Sequence, residues 1–404
     1  MRILITAAGS YGDIAPYTGL GAHLRAAGHE VALATHESFA PLVRGAGLGF
    51  RPLPADARAS GRAAGRRELM RAASVFVRDL GVGLADAVDD GDELLVLSTT
   101  TAPPGWQLAE ALDVPTIGAY LQPTHPTREF APVVSGARSL GRWGNHAMGR
   151  FSLRMVDRVY ADAVRDLRSR LGLPAAPPAA VRAGRERAGW PVLHGFSPAV
   201  VPRPADWRAG LDIVGNWWPH HDPDERLPAR VEDFLTAGPP PVLVGFGSMA
   251  AGEGERLSEL AVAALRRAGL RGVLQSGRAG LAGAGDDVLT VGELPHALLF
   301  PRMAAVVHHA GAGTTAASLR AGVPTVPVPV TADQPFWAAR LTALGAAPGP
   351  IPFRALTAER LAAALTRVVR EPPFASAATA VSRAMAAEDG AGQVRKAVER
   401  LGRG

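Results

Sequence analysis

The first half of the chain alternates short apolar runs with longer segments of mixed polarity. The runs Arg2–Ala8, Val31–Thr35, Leu94–Ser98 and Thr116–Tyr120 predict buried β-strands. Between the first two runs, apolar residues recur at helical spacing from Pro16 to Gly28, which predicts a helix. Strands that alternate with helices predict a parallel sheet with helices on both faces.

The same alternation begins again after successive prolines at 239–241. The preceding segment, Ala175–Arg230, is interrupted by prolines and predicts a seam between domains rather than long regular elements. The fold class is therefore predicted to be α/β, with two parallel sheets of similar size facing each other across a cleft. The second sheet is predicted from the apolar runs Val242–Phe246, Gly272–Gln275, Val288–Val291, Ala304–His308 and Val323–Val330.

These patterns divide the chain into four parts. An N-terminal domain takes residues 1–215, a linker takes 216–240, a C-terminal domain takes 241–374, and a final helix takes 375–404. A chain of 404 residues, 47% of them hydrophobic, is long enough to form two domains with separate cores.

Composition and charge exclude several classes of protein. The chain has no cysteine, which excludes disulfides and thiolate chemistry. The formal charge is +6, but the basic residues are scattered and almost all are arginines, so we expect no nucleic-acid partner. The densest basic group, Arg58–Arg71, is interpreted either as a solvated helix face or as a mouth for anionic or membrane-associated substrates.

The apolar runs are too short to span a bilayer, and the N-terminus enters a strand without the apolar core of a signal peptide. We therefore expect a soluble, cytoplasmic protein that does not insert stably into a membrane. The sequence does not predict its oligomeric state.

The strongest candidate for chemistry is His308–Thr315, between an apolar strand and a predicted helix. Small residues there let the backbone approach an anion, and free N–H groups together with the helix dipole favour negative charge. A histidine entering the turn can donate a hydrogen bond to a phosphate oxygen. The alternative is a glycine-containing turn with a structural histidine.

Carboxylates follow two of the predicted strands. Asp333 comes after the last strand with Gln334 beside it, and a carboxylate next to an amide suits the vicinal hydroxyls of a sugar. Asp13 lies directly beyond the first strand, where it is placed to accept a proton from a hydroxyl group. Capping of the following helix is the alternative role for each of them.

Motifs for other ligands are absent or weak. The first loop has no GxGxxG motif and the chain has no P-loop, which argues against nicotinamide binding and against a P-loop nucleotide site. The Asp-x-Asp pairs at 90–92 and 222–224 lie in polar, turn-like stretches, so no metal site is predicted.

A series of segments spread over nearly the whole chain forms a specific combination. They are Gly9–Pro16, Leu121–Pro123, Pro126–Thr127, Ser197–Pro198, Pro202–Trp207, Gly245–Met249, Pro295–His296, Leu299–Arg302, His308–Thr315 and Asp333–Trp337. In this order they resemble the GT-B-fold glycosyltransferases of family 1, close to bacterial enzymes related to sterol 3-β-glucosyltransferases and to glycopeptide and macrolide aglycone glycosyltransferases.

The resemblance implies a GT-B fold and an inverting glycosyltransferase. Such an enzyme moves a sugar from a UDP- or dTDP-sugar to a hydroxyl of a lipophilic natural-product or lipid/sterol-like aglycone. The nucleotide-sugar is a co-substrate, and no cofactor or metal is implied. The first domain would bind the acceptor, the second would bind the donor, and the final helix would pack back on the first domain.

The resemblance also assigns residues. Asp13 matches the catalytic base and Ser10 its neighbour in the acceptor-side loop. The turn after His309 matches the diphosphate contacts, Asp333 matches a contact to the sugar hydroxyls, and Gly277 lies near the nucleoside base. The full set of implied donor-binding residues is Ser248, Gly277, Leu294, His309, Gly311, Gly313, Thr314, Asp333 and Gln334.

Two residues depart from the pattern of the family, and two alternative functions remain open. Ala310 stands where many bacterial relatives carry glycine, and Ala317 stands where many relatives carry a glutamate that binds ribose, which is compatible with a dTDP- or a UDP-sugar. The alternatives are a UDP-sugar epimerase on the same fold and a non-catalytic nucleotide-binding helper of another glycosyltransferase. The acceptor pocket is expected within 55–84 and 122–151, where Phe76, Phe130 and Trp143 suit a hydrophobic aglycone.

Overall fold

The computed structural model describes residues 1–54, 66–136, 138–247, 252–277, 279–283 and 285–402. Two α/β domains follow one another along the chain, and each is built on a single parallel sheet. This arrangement confirms the predicted fold class.

The N-terminal sheet has seven parallel strands in the order β3-β2-β1-β4-β5-β6-β7. The neighbours of β1 are β2 on one side and β4 on the other, so the strand order reverses between β1 and β4. The strands are β1 (Arg2–Thr6), β2 (Glu30–His36), β3 (Gly49–Leu53), β4 (Leu94–Leu97), β5 (Thr116–Tyr120), β6 (Val192–His194) and β7 (Leu211–Ile213).

Helices cover both faces of this sheet because successive side chains of each buried strand point to opposite faces. Ile3 and Ile5 pack with the first helix, whereas Leu4 packs with the third and fifth helices. The helices of this half are α1 (Tyr11–Ala26), α2 (Ala40–Gly45), α3 (Arg66–Ala87), α4 (Ala102–Leu112), α5 (Gly141–Arg170) and α6 (Pro178–Arg187).

The C-terminal sheet has five parallel strands in the order β10-β9-β8-β11-β12, which reverses between β8 and β11. Its strands are β8 (Val242–Gly245), β9 (Gly272–Gln275), β10 (Val288–Val291), β11 (Ala305–His308) and β12 (Thr325–Pro327). The remaining helices are α7 (Ala229–Thr236), α8 (Gly254–Ala268), α9 (His296–Leu299), α10 (Ala312–Arg320), α11 (Gln334–Ala343), α12 (Ala358–Arg370), α13 (Pro372–Ala386) and α14 (Gly390–Leu401).

Three strands lie where the sequence predicted none. β3 contains a glycine and a proline, and β6 and β7 lie inside the segment that the prolines marked as a seam. Their partners stabilise them: β6 pairs with β5, and β7 pairs with β6. In the opposite direction, the predicted strand Val323–Val330 is shortened to β12, an edge strand that ends at Pro327 because proline has no N–H group to donate.

The chain ends in two helices, α13 and α14, rather than the one continuous helix predicted from Ala375 to Leu401. The side chain of Asp389 accepts a hydrogen bond from the backbone N–H of Gly392, which starts a new helix after a break. Val394 and Val398 of α14 pack in the core of the N-terminal domain with Leu20 and Leu24 of α1. Within the described ranges, no helix is both long and apolar enough to cross a membrane.

Candidate functional site between the two sheets

The carboxyl end of the C-terminal sheet brings several candidate residues together. Gly247 follows β8 and His309 follows β11, so both lie at the point where the strand order reverses, which is where open α/β sheets bind ligands. Gly247 has a positive φ of 59°, and a Cβ on it would lie 3.0 Å from Cε1 of His309. Gly277, after β9, lies beside the carbonyl of Gly247.

In the turn between β11 and α10, a second glycine packs against the ring of His309. A Cβ on Gly311, the residue before α10, would lie 2.5 Å from Nε2 of His309. Ala310 adopts a positive φ of 62°, and its N–H donates a 3.0 Å hydrogen bond to Nδ1 of His308. In the part of the chain that the structure describes, Nδ1 of His309 is buried and has no hydrogen-bond partner.

Three histidines around this turn are uncharged at neutral pH. Burial lowers the pKa of His309 to about 4. Burial, with the neighbouring histidines adding to it, lowers the pKa of His308 to about 3 and that of His296 to about 4. A neutral imidazole carries one N–H donor, so His309 can donate one hydrogen bond to an anionic oxygen without bringing a charge.

The first turn of α10 supplies free backbone N–H groups beside His309. Gly313 is exposed, and a Cβ on it would meet no atom within 4 Å, so it faces open space. Thr314 is half-buried beside it. Leu294, after β10, is partly buried against the core cluster that contains Val291. The predicted site residue Ser248 lies outside the described residues.

Asp333 and Gln334 begin α11 but use their side chains differently. Oδ2 of Asp333 accepts a 2.8 Å hydrogen bond from the indole N–H of Trp337. The buried Gln334 directs Oε1 to its own loop, where it accepts backbone hydrogen bonds from Val330 and Thr331 at 2.7 and 3.1 Å. Of the Gln334 side chain, only Nε2 therefore remains for a ligand.

Asp13 lies at the corresponding edge of the N-terminal sheet, in the first turn of α1. Its Oδ2 accepts hydrogen bonds from the hydroxyl and the backbone N–H of Ser10, at 2.8 and 2.9 Å. Asp13 is thus the third residue of the helix and Ser10 is its N-cap. Asp13 is only half-buried.

The two carboxylates from opposite domains lie within electrostatic range of each other. Burial raises the pKa of Asp333, and the negative charge of Asp13 raises it further. Hydrogen bonds from Trp337 and Gln122 act in the opposite direction. The structure thus brings a first-domain carboxylate and a second-domain carboxylate to one cleft.

A cavity of about 340 Å³ in the N-terminal domain reaches this cleft at Gln122 and Asp333. Its walls are mainly apolar, and Trp106, Tyr120 and Trp190 form an aromatic side. The rings of Trp106 and Trp190 meet edge to face, with centroids 5.1 Å apart. Such a shape suits a lipophilic small molecule with one end at the cleft.

The aromatic residues predicted for this pocket do not line it. Phe76 is a residue of α3 and is buried in the core of the N-terminal domain. Phe130 packs against Phe336 of the other domain, with ring centroids 5.3 Å apart. Trp143 is 78% exposed at the start of α5. The predicted 122–151 segment does contribute Gln122 and other lining residues, whereas residues 55–65 of the predicted 55–84 segment lie outside the described ranges.

Comparisons with known proteins agree with this geometry. Residues 3–79 match the glycosyltransferase family 28 N-terminal domain. Residues 273–401 match the erythromycin biosynthesis protein CIII-like C-terminal domain. The Streptomyces sp. SF2575 glycosyltransferase SsfS6, solved with thymidine diphosphate, superposes over 99% of both chains with a TM-score of 0.67 at 22% identity. The fold and the cleft therefore define a two-domain enzyme of the GT-B class.

Curated relatives identify the family. O-mycaminosyltylonolide 6-deoxyallosyltransferase of Streptomyces fradiae is 37% identical over 412 residues, which cover 96% of this chain and 95% of that protein. A sterol 3-beta-glucosyltransferase of Arabidopsis thaliana is 34% identical over 96% of this chain and 64% of its own length. The chain belongs to the glycosyltransferase family that includes these two enzymes. The predictions of the family and of an enzyme are confirmed.

Proposed function

We propose that the chain transfers a sugar from a UDP- or dTDP-sugar to a hydroxyl group of a lipophilic aglycone, with inversion at the anomeric carbon and without a metal ion. The observation that carries this proposal is the convergence of Asp13, Asp333 and the mouth of the apolar cavity at one cleft. An acceptor in the cavity would present its hydroxyl where the two domains meet.

Asp13 acts as the base in this proposal. Its Oδ2 is held by Ser10, and the carboxylate takes the proton of the acceptor hydroxyl as the oxygen attacks the anomeric carbon. The bond from that carbon to the diphosphate oxygen breaks on the opposite face, and the diphosphate leaves with the electron pair. Attack and departure on opposite faces invert the anomeric centre.

His309 and the first turn of α10 stabilise the leaving diphosphate. The neutral His309 donates one hydrogen bond, and the free N–H groups of α10 point toward growing negative charge. Donors of this kind are already oriented, so they act without reorganising during the reaction. Asp333 accepts hydrogen bonds from the hydroxyls of the transferred sugar.

The relatives support the choice of substrates. The Streptomyces fradiae enzyme is named for the transfer of a 6-deoxyallosyl group to O-mycaminosyltylonolide, the Arabidopsis enzyme is named for a sterol, and SsfS6 was solved with thymidine diphosphate. We propose the same class of acceptor for this chain, a natural-product or lipid/sterol-like aglycone, because the cavity walls are apolar and aromatic.

Nucleotide binding tests the donor side. We expect UDP or dTDP, but neither GDP nor NAD, to raise the melting temperature equally with and without magnesium. A ligand at a hundredfold excess over Kd adds about 2.7 kcal/mol to the free energy of unfolding. A shift only with NAD, or only with magnesium, would overturn the proposed donor site.

Replacement of the base tests the chemistry. Asp13→Asn is expected to lower turnover by about 10²- to 10⁴-fold, the usual contribution of a general base, while nucleotide binding is retained. Asp89→Asn is the matched control, because Asp89 is exposed and forms an ion pair with Arg2, the first residue of β1. It therefore lies at the amino-terminal ends of the strands, away from the cleft. Undiminished turnover of Asp13→Asn, or a product with retained anomeric configuration by NMR, would refute the mechanism.

A further inference from the structure

Two chemically different groups of residues line the cavity of the N-terminal domain, and they lie near opposite ends of β5. Gln122 and Asp333 line the end beyond the last residue of β5. Trp190 lines the other end, and its indole N–H donates a 3.0 Å hydrogen bond to the carbonyl of Thr116, the first residue of β5. At about 3.3 Å per residue, the two ends of β5 are about 13 Å apart.

Charged side chains gather at the end near Trp190, which we call the deep end of the cavity. Arg185 lines it and donates a 3.1 Å hydrogen bond to the carbonyl of Trp106. Arg208 lines it as well and donates to the carbonyl of Trp190 at 2.6 Å. The deep end therefore carries cationic donors between apolar walls, and the carboxylates of Asp157 and Glu186 line the cavity as well.

The carboxylates around Arg185 are already paired with other arginines. Glu186 forms a 2.9 Å ion pair with Arg182, which also forms an ion pair with Asp157. Glu110 is held at 2.9 Å by both terminal nitrogens of Arg168. Among the ion pairs of the described residues, none includes Arg185.

A half-buried guanidinium without a carboxylate partner is costly in a cavity lined by the indole rings of Trp106 and Trp190. Burial lowers the pKa of Arg185, and the negative charge of Glu110 offsets this only in part. An anion bound next to Arg185 would gain a charge-assisted hydrogen bond in a site that excludes part of the water. These features suit the deep end to a negatively charged group.

We propose that the acceptor is an elongated apolar molecule with an anionic group, such as a carboxylate, at the end remote from its sugar-accepting hydroxyl, and that Arg185 binds this group. The placement of the hydroxyl at the cleft rests on the proposed function. The binding of the anion by Arg185 does not depend on sugar transfer.

Two rigid probes test the proposal by isothermal titration calorimetry without nucleotide. Lithocholic acid has a hydroxyl at one end and a carboxylate at the other, and its methyl ester lacks the charge. We expect the wild type to bind the acid about tenfold more tightly than the ester, the low end for one hydrogen bond to a charged group. Arg185→Gln is expected to abolish the preference without changing the affinity for the ester.

Two further variants make the result specific. Arg187→Gln is the matched control, because Arg187 lies on the same helix but is exposed and does not line the cavity. It should keep the wild-type preference, and Arg185→Lys should retain much of it because the charge remains. Equal binding of acid and ester by the wild type, binding of neither probe, or an intact preference in Arg185→Gln would overturn the proposal. Loss of sugar transfer with an intact preference for the acid would instead overturn only the proposed function.

Discussion

The hydroxyl and the backbone N–H of Ser10 donate to the same oxygen of Asp13, at 2.8 and 2.9 Å. This pair ties the loop after β1 to the first turn of α1. The residue before Ser10 has to be glycine, because a Cβ on Gly9 would lie 2.6 Å from that same oxygen. Among the described residues, none donates a hydrogen bond to Oδ1 of Asp13, so Oδ1 is the oxygen that the proposed base would offer to an acceptor hydroxyl.

Removal of the Ser10 hydroxyl should reduce catalysis without affecting donor binding. Ser10→Ala deletes one of the two hydrogen bonds that orient the Asp13 carboxylate. We expect turnover to fall by about tenfold, the value of one hydrogen bond to a charged group, with an unchanged Kd for dTDP or UDP. Ser169→Ala, at an exposed position of α5, is the control. Equal turnover of both variants would show that Ser10 does not position the base.

Asp333→Asn should stabilise the folded protein and at the same time weaken the binding of the donor sugar. Burial raises the pKa of Asp333, so its ionised form is disfavoured in the folded state. As the pH rises through the raised pKa, the wild type loses stability that the asparagine variant keeps. The variant should therefore melt at a higher temperature at pH 7, and the difference should disappear below the unfolded pKa of aspartate. The same variant should raise the KM for the donor sugar by about tenfold, because a carboxylate acceptor is lost.

Thermal melts of both proteins from pH 3 to pH 8 measure the first effect, and steady-state kinetics with the donor varied measure the second. A wild type that is more stable than Asp333→Asn at neutral pH would contradict the argument from burial. An unchanged donor KM would remove Asp333 from the donor site.

The first sheet shows which elements the sequence could predict. β4 and β5 are continuous apolar runs in the middle of a parallel sheet, so hydrophobicity alone indicated them. β6 and β7 have three residues each and follow proline-rich segments. β6 depends on pairing with β5 and on the hydrogen bond from Trp190 to Thr116, and β7 depends on pairing with β6. A local sequence pattern does not contain these tertiary contacts.

The site divides in the same way. Asp13, His309 and Asp333 each follow a strand of a parallel sheet, and the carboxyl ends of such strands share one edge, so the sequence pattern predicted the position of these candidate residues. The cavity joins Trp106 of α4, Tyr120 of β5 and Trp190 of the loop before β6. An apolar side chain such as Phe76 is equally suited to a core or a pocket, and only packing decides between them. Tyr120 is the last residue of β5, so its position at the carboxyl end of a predicted strand was a signal for the pocket that the sequence did contain.

His296 should contribute to loss of stability in acid. Burial and neighbouring His309 lower its pKa to about 4, so unfolding takes up a proton between about pH 4 and 6.5. Stability from this group is complete above pH 6.5 and falls by up to about 1.4 kcal/mol per pH unit as the pH drops to its folded pKa. His296→Gln is expected to flatten the pH dependence of the unfolding free energy, measured with urea from pH 7 to 4.5. An identical slope in both proteins would contradict the prediction.

Two glycines of one turn should respond in opposite ways to an added methyl group. Gly311→Ala places Cβ 2.5 Å from Nε2 of His309, so the ring has to move, and we expect both a lower melting temperature and at least a tenfold weaker binding of dTDP or UDP. Gly313→Ala is the matched control for stability, because its Cβ meets open space within α10. Alanine is favoured over glycine in a helix by about 1 kcal/mol, so Gly313→Ala should raise the melting temperature. Differential scanning calorimetry and nucleotide titration measure the two effects. If Gly311→Ala binds nucleotide as the wild type does, His309 has no part in holding the diphosphate.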